Sequence, residues 1–219
     1  MEHPRGVDFL GLHVLADDDP GWGRDPVEQA RSACEGGAAV VQLRCKRTPD
    51  TRALAWAREI RGLTRRAGSR FVVNDRFDLA LLAEADGVHL GQDDLPPAAI
   101  PPELRARLAI GRSTHTRAQL EATREEDVDY VAFGPVFGTT SKVSEYNARG
   151  LEALAEAVRL AAPRPLIAIG GIQSRHLAAL REAGVGGLAV ISVVATAPDP
   201  VATTRKLVAG FAGSEGAQT

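Results

Sequence analysis

The chain is poor in the features that would make it anything other than a compact globular protein. Its two cysteines, Cys34 and Cys45, are too few for a disulfide framework, and their spacing is not the C-x-x-C of a zinc or redox site. No apolar run approaches the roughly 18 residues of a membrane-spanning helix. Neither sign of charge is in excess: 26 Lys and Arg stand against 28 Asp and Glu, a formal net charge of −2. The basic footprint of a nucleic-acid binder is therefore missing. The opening Met1-Glu2-His3-Pro4-Arg5-Gly6 has no basic stretch leading into an apolar run, so no secretory leader is expected. These absences point to a reduced, cytoplasmic protein with neither nucleic acid nor membrane as partner.

What is there is a regular alternation. The chain has 219 residues, 44% hydrophobic and 25% charged, enough for one well-filled core. Short apolar runs read as strands at Phe9–Leu15, Ala38–Arg44, Phe71–Asn74, Gly87–Leu90, Leu108–Gly111, Asp129–Gly134, Pro165–Ile169 and Gly187–Ile191. Helix signals lie between them. Asp25-Pro26-Val27-Glu28 combines an N-cap acid, a first-turn proline and a capping Glu. Trp56, Ile60, Leu63 and Ala67 mark one face of a helix opened by Thr48-Pro49-Asp50. A third helix is expected over Phe77–Ala85, a fourth over Glu103–Arg107, and Thr116-Arg117-Ala118-Gln119 is a capping box for a fifth. Three more follow, the last opened by Asp199-Pro200, and residues 1–8 and 213–219 carry no pattern and read as a loose start and a frayed tail. Eight strands alternating with eight helices predict an α/β protein, a single-domain (β/α)8 TIM barrel over 1–212, with a doubly wound open sheet as the alternative. The strands are continuously apolar, as strands covered on both faces require.

In such a barrel the active site lies at the C-terminal strand ends. The polar residues collect there: Gln42, Arg44 and Lys46 after strand two, Asn74 and Asp75 after strand three, Asp94 after strand four, and Ser113 after strand five. Thr139, Ser141 and Lys142 fall in a polar loop of about 15 residues, far longer than an ordinary connection. Asp75 and Asp94 leave the same end of one sheet, and two convergent carboxylates suit a hard oxygen-seeking cation such as Mg²⁺. With Arg44, Lys46 and Lys142 they read as a site for a pyrophosphate ester. Gly170-Gly171 and Ile191-Ser192, after strands seven and eight, read as a second, phosphate-binding anion site. Each residue also has an ordinary alternative: Asp75 as a helix cap, Asp94 as a turn acid, Arg44 and Lys46 as solvated charges, Ser113 as a cap, the two glycines as tight turns. A catalytic pair of Cys45 with His115 has no partner arrangement to support it. Cys34 and His89 read as packing.

Six motifs, in this order, resemble those of the thiamin phosphate synthases, or thiamin-phosphate pyrophosphorylases, from about Phe9 to Phe211. They are Gln42-Leu43-Arg44-Cys45-Lys46, Val73-Asn74-Asp75-Arg76, Gly87-Val88-His89-Leu90-Gly91-Gln92-Asp93-Asp94, Gly134-Pro135-Val136-Phe137, Ile169-Gly170-Gly171-Ile172 and Ile191-Ser192. The resemblance implies a (β/α)8 barrel that couples a hydroxymethylpyrimidine pyrophosphate to a thiazole phosphate. It implies that Gln42, Arg44, Lys46 and Asn74 bind the pyrimidine pyrophosphate, with Mg²⁺ on Asp75 and Asp94. Ser113 and Lys142 then meet the leaving pyrophosphate, Thr139 and Ser141 the thiazole's carboxylate side, and Gly171, Ile191 and Ser192 its phosphate. A homodimer is compatible with the fold, although no sequence feature marks an interface. The chain departs from the family at Cys45, where Glu is usual, and at Val143-Ser144, which replaces a common Lys-Asp pair. It also resembles the sister thiazole tautomerases in Ile110-Gly111-Arg112-Ser113 and Ala148-Arg149-Gly150-Leu151, but carries Pro135 where those enzymes have a histidine, and it keeps the two acids. Isomerisation of the thiazole, or plain binding of thiamin precursors without turnover, are the two other readings.

Overall fold

The computed structural model describes residues 9–138 and 146–213. The expected loose start at 1–8, the tail after Gly213, and Thr139, Ser141 and Lys142 lie outside the described residues. Eight parallel strands close into a barrel: β1 (Gly11–Asp17), β2 (Val40–Arg44), β3 (Arg70–Asn74), β4 (Gly87–Leu90), β5 (Ala109–Thr114), β6 (Tyr130–Phe133), β7 (Leu166–Ile169) and β8 (Gly187–Val190). Each strand pairs with the next, and β8 returns to β1 with Leu188 opposite Leu12 and Val190 opposite Val14. The closure eliminates the doubly wound alternative.

Nine helices surround the barrel among the described residues: α1 (Pro26–Glu35), α2 (Asp50–Ala67), α3 (Phe77–Leu82), α4 (Pro102–Arg105), α5 (Arg117–Ala122), α6 (Gly150–Ala161), α7 (Leu177–Glu182), α8 (Ser192–Ala195) and α9 (Pro200–Ala212). The caps read from sequence at Asp25 and Thr116 are formed, each side chain accepting the N–H of the third helical residue, whose own side chain accepts the backbone N–H of the cap. On α2 the buried face is Ala53, Ala57, Ile60, Leu63 and Thr64, so Ile60 and Leu63 face inward as expected. Trp56 is only partly covered and Ala67 is exposed.

Alternation along each strand explains both the core and the site. Outward positions such as Leu12, Val14, Leu43, Val73, Val88, Ile110 and Val131 pack against the helices. Inward positions such as Leu15, Val40, Val72, Ala109, Tyr130, Ile167 and Ala189 fill the barrel. Removing a fully enclosed side chain of this kind costs about 2–5 kcal/mol. The same inward parity turns polar toward the C-terminal end: Leu15 gives way to Asp17, Val40 to Gln42 and Arg44, Val72 to Asn74, and Ala109 to Ser113. The strands thus build an apolar floor and a polar mouth from one side-chain register.

Three expectations change. The first strand runs to Asp17 rather than ending at Leu15, because Asp17 pairs in register with Arg44. The fifth runs to Thr114, so Ser113 lies within β5, with Ala132 of β6 opposite it. The eight expected helices become nine, because the short α8 is inserted after β8, where barrels commonly build a phosphate site.

Candidate active site

Two neighbouring acids at the end of β1 organise the first quarter of the mouth. Asp17 is almost fully enclosed; its carboxylate accepts Trp22 Nε1–H at 2.8 Å and lies 2.5 Å from Arg44 Nη1. Gln29 of α1 bonds the Asp17 backbone on both sides, accepting its N–H at 3.1 Å and donating to its carbonyl at 2.8 Å. Arg44 is therefore aimed by an ion pair and is not a solvated charge. Asp18 accepts the backbone N–H groups of Lys46, Arg47 and Thr48 at 2.8–2.9 Å, which fixes the chain after β2. Burial pulls the Asp18 carboxyl upward, but these donors outweigh it and hold it below its ordinary value. In sequence, Asp17-Asp18-Asp19 before Pro20-Gly21 has the composition of a turn. The signal that was available is that an apolar run ends in an acid there, as it does at Asp75.

The second quarter joins the two predicted metal acids. Asp75 does not cap α3, whose N-cap is Arg76 with no side-chain bond. It sits instead at φ 66°, its N–H donating to His89 O at 2.7 Å while Arg76 N–H returns to Asn74 O at 2.8 Å. This left-handed turn is strained for a residue with a side chain and swings the carboxylate over the mouth. Lys46 Nζ lies 2.5 Å from Asp75 Oδ2. Asp94 lies within hydrogen-bonding reach of Asp75, and its own Oδ2 accepts Gly91 N–H at 2.6 Å, so it closes the turn after β4 as well. Burial raises the Asp75 carboxyl above its ordinary value; the Asp94 charge adds to the rise and Lys46 opposes it. Two convergent carboxylates with oxygen ligands only fit Mg²⁺. Among the described residues no third His, Cys, Asp or Glu joins them, so the remaining ligands of such a cation have to be substrate oxygens and water.

Gln42 and Asn74, both buried, face inward beside these groups. Ser113 faces inward from β5, where it is not a helix cap. Its hydroxyl lies 2.8 Å from His89 Nε2, and its carbonyl accepts Gln92 Nε2–H at 2.6 Å. His89 is buried in β4, as expected, but it also bonds Ser113 of the mouth from below.

The opposite side is built from glycine and backbone. Gly170 (φ 102°) and Gly171 (φ 64°) adopt conformations that side chains resist, and they let the segment after β6 come close. A Cβ at Gly171 would stand 2.2 Å from Gly138 O. Val136 and Phe137 donate to Ile169 O and Gly170 O at 2.8 and 3.0 Å. Gly170, Gly171, Ile191, Ser192 and Ser113 line one cleft. Among the described residues the N–H groups of Gly171, Ser192 and Val193 have no hydrogen-bond acceptor, leaving them available to an anion.

The Cys45–His115 pair is not formed. Burial, with the Asp18 and Asp17 charges, pushes the Cys45 thiol up to about 12, far from the activated range of a nucleophile. His115 Nδ1 bonds Gly134 O at 2.6 Å, and its ring stacks on Tyr146. Cys34 is a partly covered helix residue packed on the core, as expected.

Residues 12–194 match the profile of a family described as thiamine monophosphate synthase. The chain is 44% identical over 209 residues to the thiamine-phosphate synthase of Anaeromyxobacter dehalogenans, covering 95% of this chain and 90% of that protein. It is 43% identical over 196 residues to that of Methanoculleus marisnigri, covering 90% and 92%. A solved thiamine phosphate pyrophosphorylase from Pyrococcus furiosus superposes with a TM-score of 0.84 at 34% identity, covering 94% of this chain and 98% of that one.

Proposed function

The chain belongs to the thiamine monophosphate synthase family, and from that premise we propose how its residues divide the work of coupling a pyrimidine pyrophosphate to a thiazole phosphate. The observation that carries the reading is the convergence of Asp75, Asp94, Lys46 and the Asp17-aimed Arg44 on one side of the barrel mouth. That side takes the pyrophosphate ester. Arg44 presents a planar fork suited to phosphate oxygens, and Lys46, Lys142 and Ser113 add donors for the leaving group. Gln42 and Asn74 hold the pyrimidine. The cleft of Gly171, Ile191 and Ser192 takes the phosphate of the thiazole, with Thr139 and Ser141 toward its carboxylate side.

Asp75 and Asp94 would hold Mg²⁺, which when bound supplies positive charge that stabilises departing pyrophosphate. The bond from the pyrimidine methylene to the pyrophosphate oxygen breaks, and its electron pair leaves with pyrophosphate. The amino-substituted ring stabilises the resulting cation. The thiazole nitrogen then gives its lone pair to the methylene carbon and forms the C–N bond. No protein nucleophile or strong base is required, in keeping with the unactivated Cys45. The protein contributes orientation of two substrates and donors preset for the leaving charge. A homodimer in the cytoplasm belongs to the same reading and is checked by the solution mass and by fractionation.

The test is to incubate the protein with both substrates and Mg²⁺ and to measure thiamin phosphate with and without chelator. Product that disappears with chelator is expected. Product that persists would remove the metal role of Asp75 and Asp94, and no product at all would overturn the coupling reading.

A further inference from the structure

Below the mouth, the barrel interior carries a polar chain that the coupling reaction as described leaves unused. Tyr130 OH lies 3.1 Å from His89 Nδ1, and His89 Nε2 lies 2.8 Å from Ser113 Oγ. The three residues come from three adjacent strands, β6, β4 and β5. The strand between β4 and β6 has to leave room for this contact, and it does so with a glycine. Gly111 pairs in register with His89 on one side and Tyr130 on the other. A Cβ at Gly111 would stand 2.1 Å from Tyr130 Cζ and 2.5 Å from His89 Nδ1. The missing side chain is therefore what allows the phenol and the imidazole to meet.

We propose that His89 is a positioning residue: a donor chain from the Tyr130 phenol through the imidazole holds the Ser113 hydroxyl so that its hydrogen is directed into the mouth. The direction of the chain follows from burial. Tyr130 is enclosed, stacked on Phe9 with centroids 5.3 Å apart and met edge-on by His13. Among the described residues its oxygen has one hydrogen-bond partner, His89 Nδ1. If Nδ1 carried the hydrogen, the phenol hydrogen would be left without an acceptor, and an orphaned buried donor costs roughly 1–3 kcal/mol. The phenol instead donates to Nδ1, and burial keeps its proton on far above neutral pH. The imidazole hydrogen then sits on Nε2 and points at Ser113 Oγ. With its oxygen accepting from His89, Ser113 donates its own hydrogen elsewhere. Ser113 lines both the interior cavity and the phosphate-side cleft, so the open direction is the mouth. No proton is lost or gained along the chain. It sets the orientation of a donor before the leaving group acquires charge, which is where preset donors accelerate a reaction.

This inference rests on the placement of Ser113 at the leaving group. The experiment compares His89→Leu with His89→Gln, whose amide N–H reaches toward Ser113, each with Ser113 intact and in a Ser113→Ala background. Both substrates' KM and the kcat are measured, with thermal melting as the control for folding. With Ser113 intact, His89→Leu should lower kcat roughly 10- to 100-fold, the range seen when an outer partner of a site group is lost, with the thiazole phosphate KM little changed. His89→Gln should restore most of the rate. In the Ser113→Ala background neither change should matter by more than about twofold, since the group being positioned is gone. An equal loss in both backgrounds, or Gln no better than Leu in proteins that melt like the parent, would overturn the inference. If His89→Leu does not fold, ¹⁵N NMR of the unsubstituted protein decides: hydrogen on His89 Nε2 supports the chain and hydrogen on Nδ1 overturns it. Absence of coupling by the unsubstituted protein, or full activity of Ser113→Ala, would count against the functional reading instead, and the NMR result would still stand.

Discussion

Asp17 and Arg44 end two adjacent strands, pair in register, and join through a 2.5 Å ion pair in which the carboxylate is 3% exposed and the guanidinium 18%. The cation that we propose takes the pyrophosphate is thus held by an enclosed acid at the same rim of the barrel. The hydrogen bond from Trp22 and the two bonds from Gln29 keep Asp17 in place. Asp17→Ala leaves Arg44 without its counter-charge. The variant should lose about 3–5 kcal/mol of stability, as broken buried pairs do, and its KM for the pyrimidine pyrophosphate should rise more than its KM for the thiazole phosphate. Chemical denaturation and steady-state kinetics check the two parts.

Asp75 stores conflict in the folded protein. Its carboxylate is partly buried beside Asp94, and its backbone is left-handed. A carboxyl whose folded pKa is raised stabilises the fold fully below its unfolded value, and that contribution is lost as pH rises through the folded value. At pH 7 without metal, the ionised side chain therefore works against the fold. Asparagine removes the charge and is among the residues that best tolerate positive φ. Asp75→Asn should melt at or above the parent temperature at pH 7 while losing coupling activity about 100-fold or more. A clear drop in melting temperature would contradict this account of the site.

The arrangement of the barrel was legible because it is written in local pattern: apolar runs of strand length, caps at Asp25 and Thr116, and glycines at the turns. Asp75, Asp94 and Arg44 stand out in sequence because each lies at, or within four residues of, the end of an apolar run. Asp17 does not, since three consecutive acids before a proline satisfy turn chemistry equally well, and only the register with Arg44 distinguishes a strand end. His89 was hidden for a different reason. An inward histidine in a short strand is the same in sequence whether it packs or bonds, and its partners Tyr130 and Ser113 lie 41 and 24 residues away. What Gly111 does is visible only once three strands lie side by side.

A change at Gly171 distinguishes the two anion sites that we propose. Its φ of 64° and the 2.2 Å approach of Gly138 O leave no place for a methyl group. Gly171→Ala should push the segment after β6 away from β7 and disturb the N–H groups proposed to hold the thiazole phosphate. The stability cost is of order 1–3 kcal/mol for a side chain forced into a sparsely populated region. The expected kinetic signature is a raised KM for the thiazole phosphate with little change for the pyrimidine pyrophosphate. An equal rise for both substrates would show that the two sites are not independent.

Cys45 lies between Arg44 and Lys46, in the centre of the motif proposed to bind the pyrophosphate ester, where a thiol invites a covalent role. The electrostatics oppose one. Burial and the neighbouring Asp18 and Asp17 carboxylates push its pKa up to about 12, and Arg44 only partly compensates. At pH 8 about one thiol in ten thousand is then ionised, whereas nucleophilic cysteines are largely thiolate near neutrality. Cys45→Ala should keep kcat within about twofold, and an alkylating reagent at pH 8 should leave activity intact over a time that modifies a free thiol in solution. Rapid inactivation with the adduct mapped to Cys45 would mean that the thiol is less enclosed in solution than the structure shows, since burial is the largest cause of its raised pKa, ahead of the Asp18 and Asp17 charges.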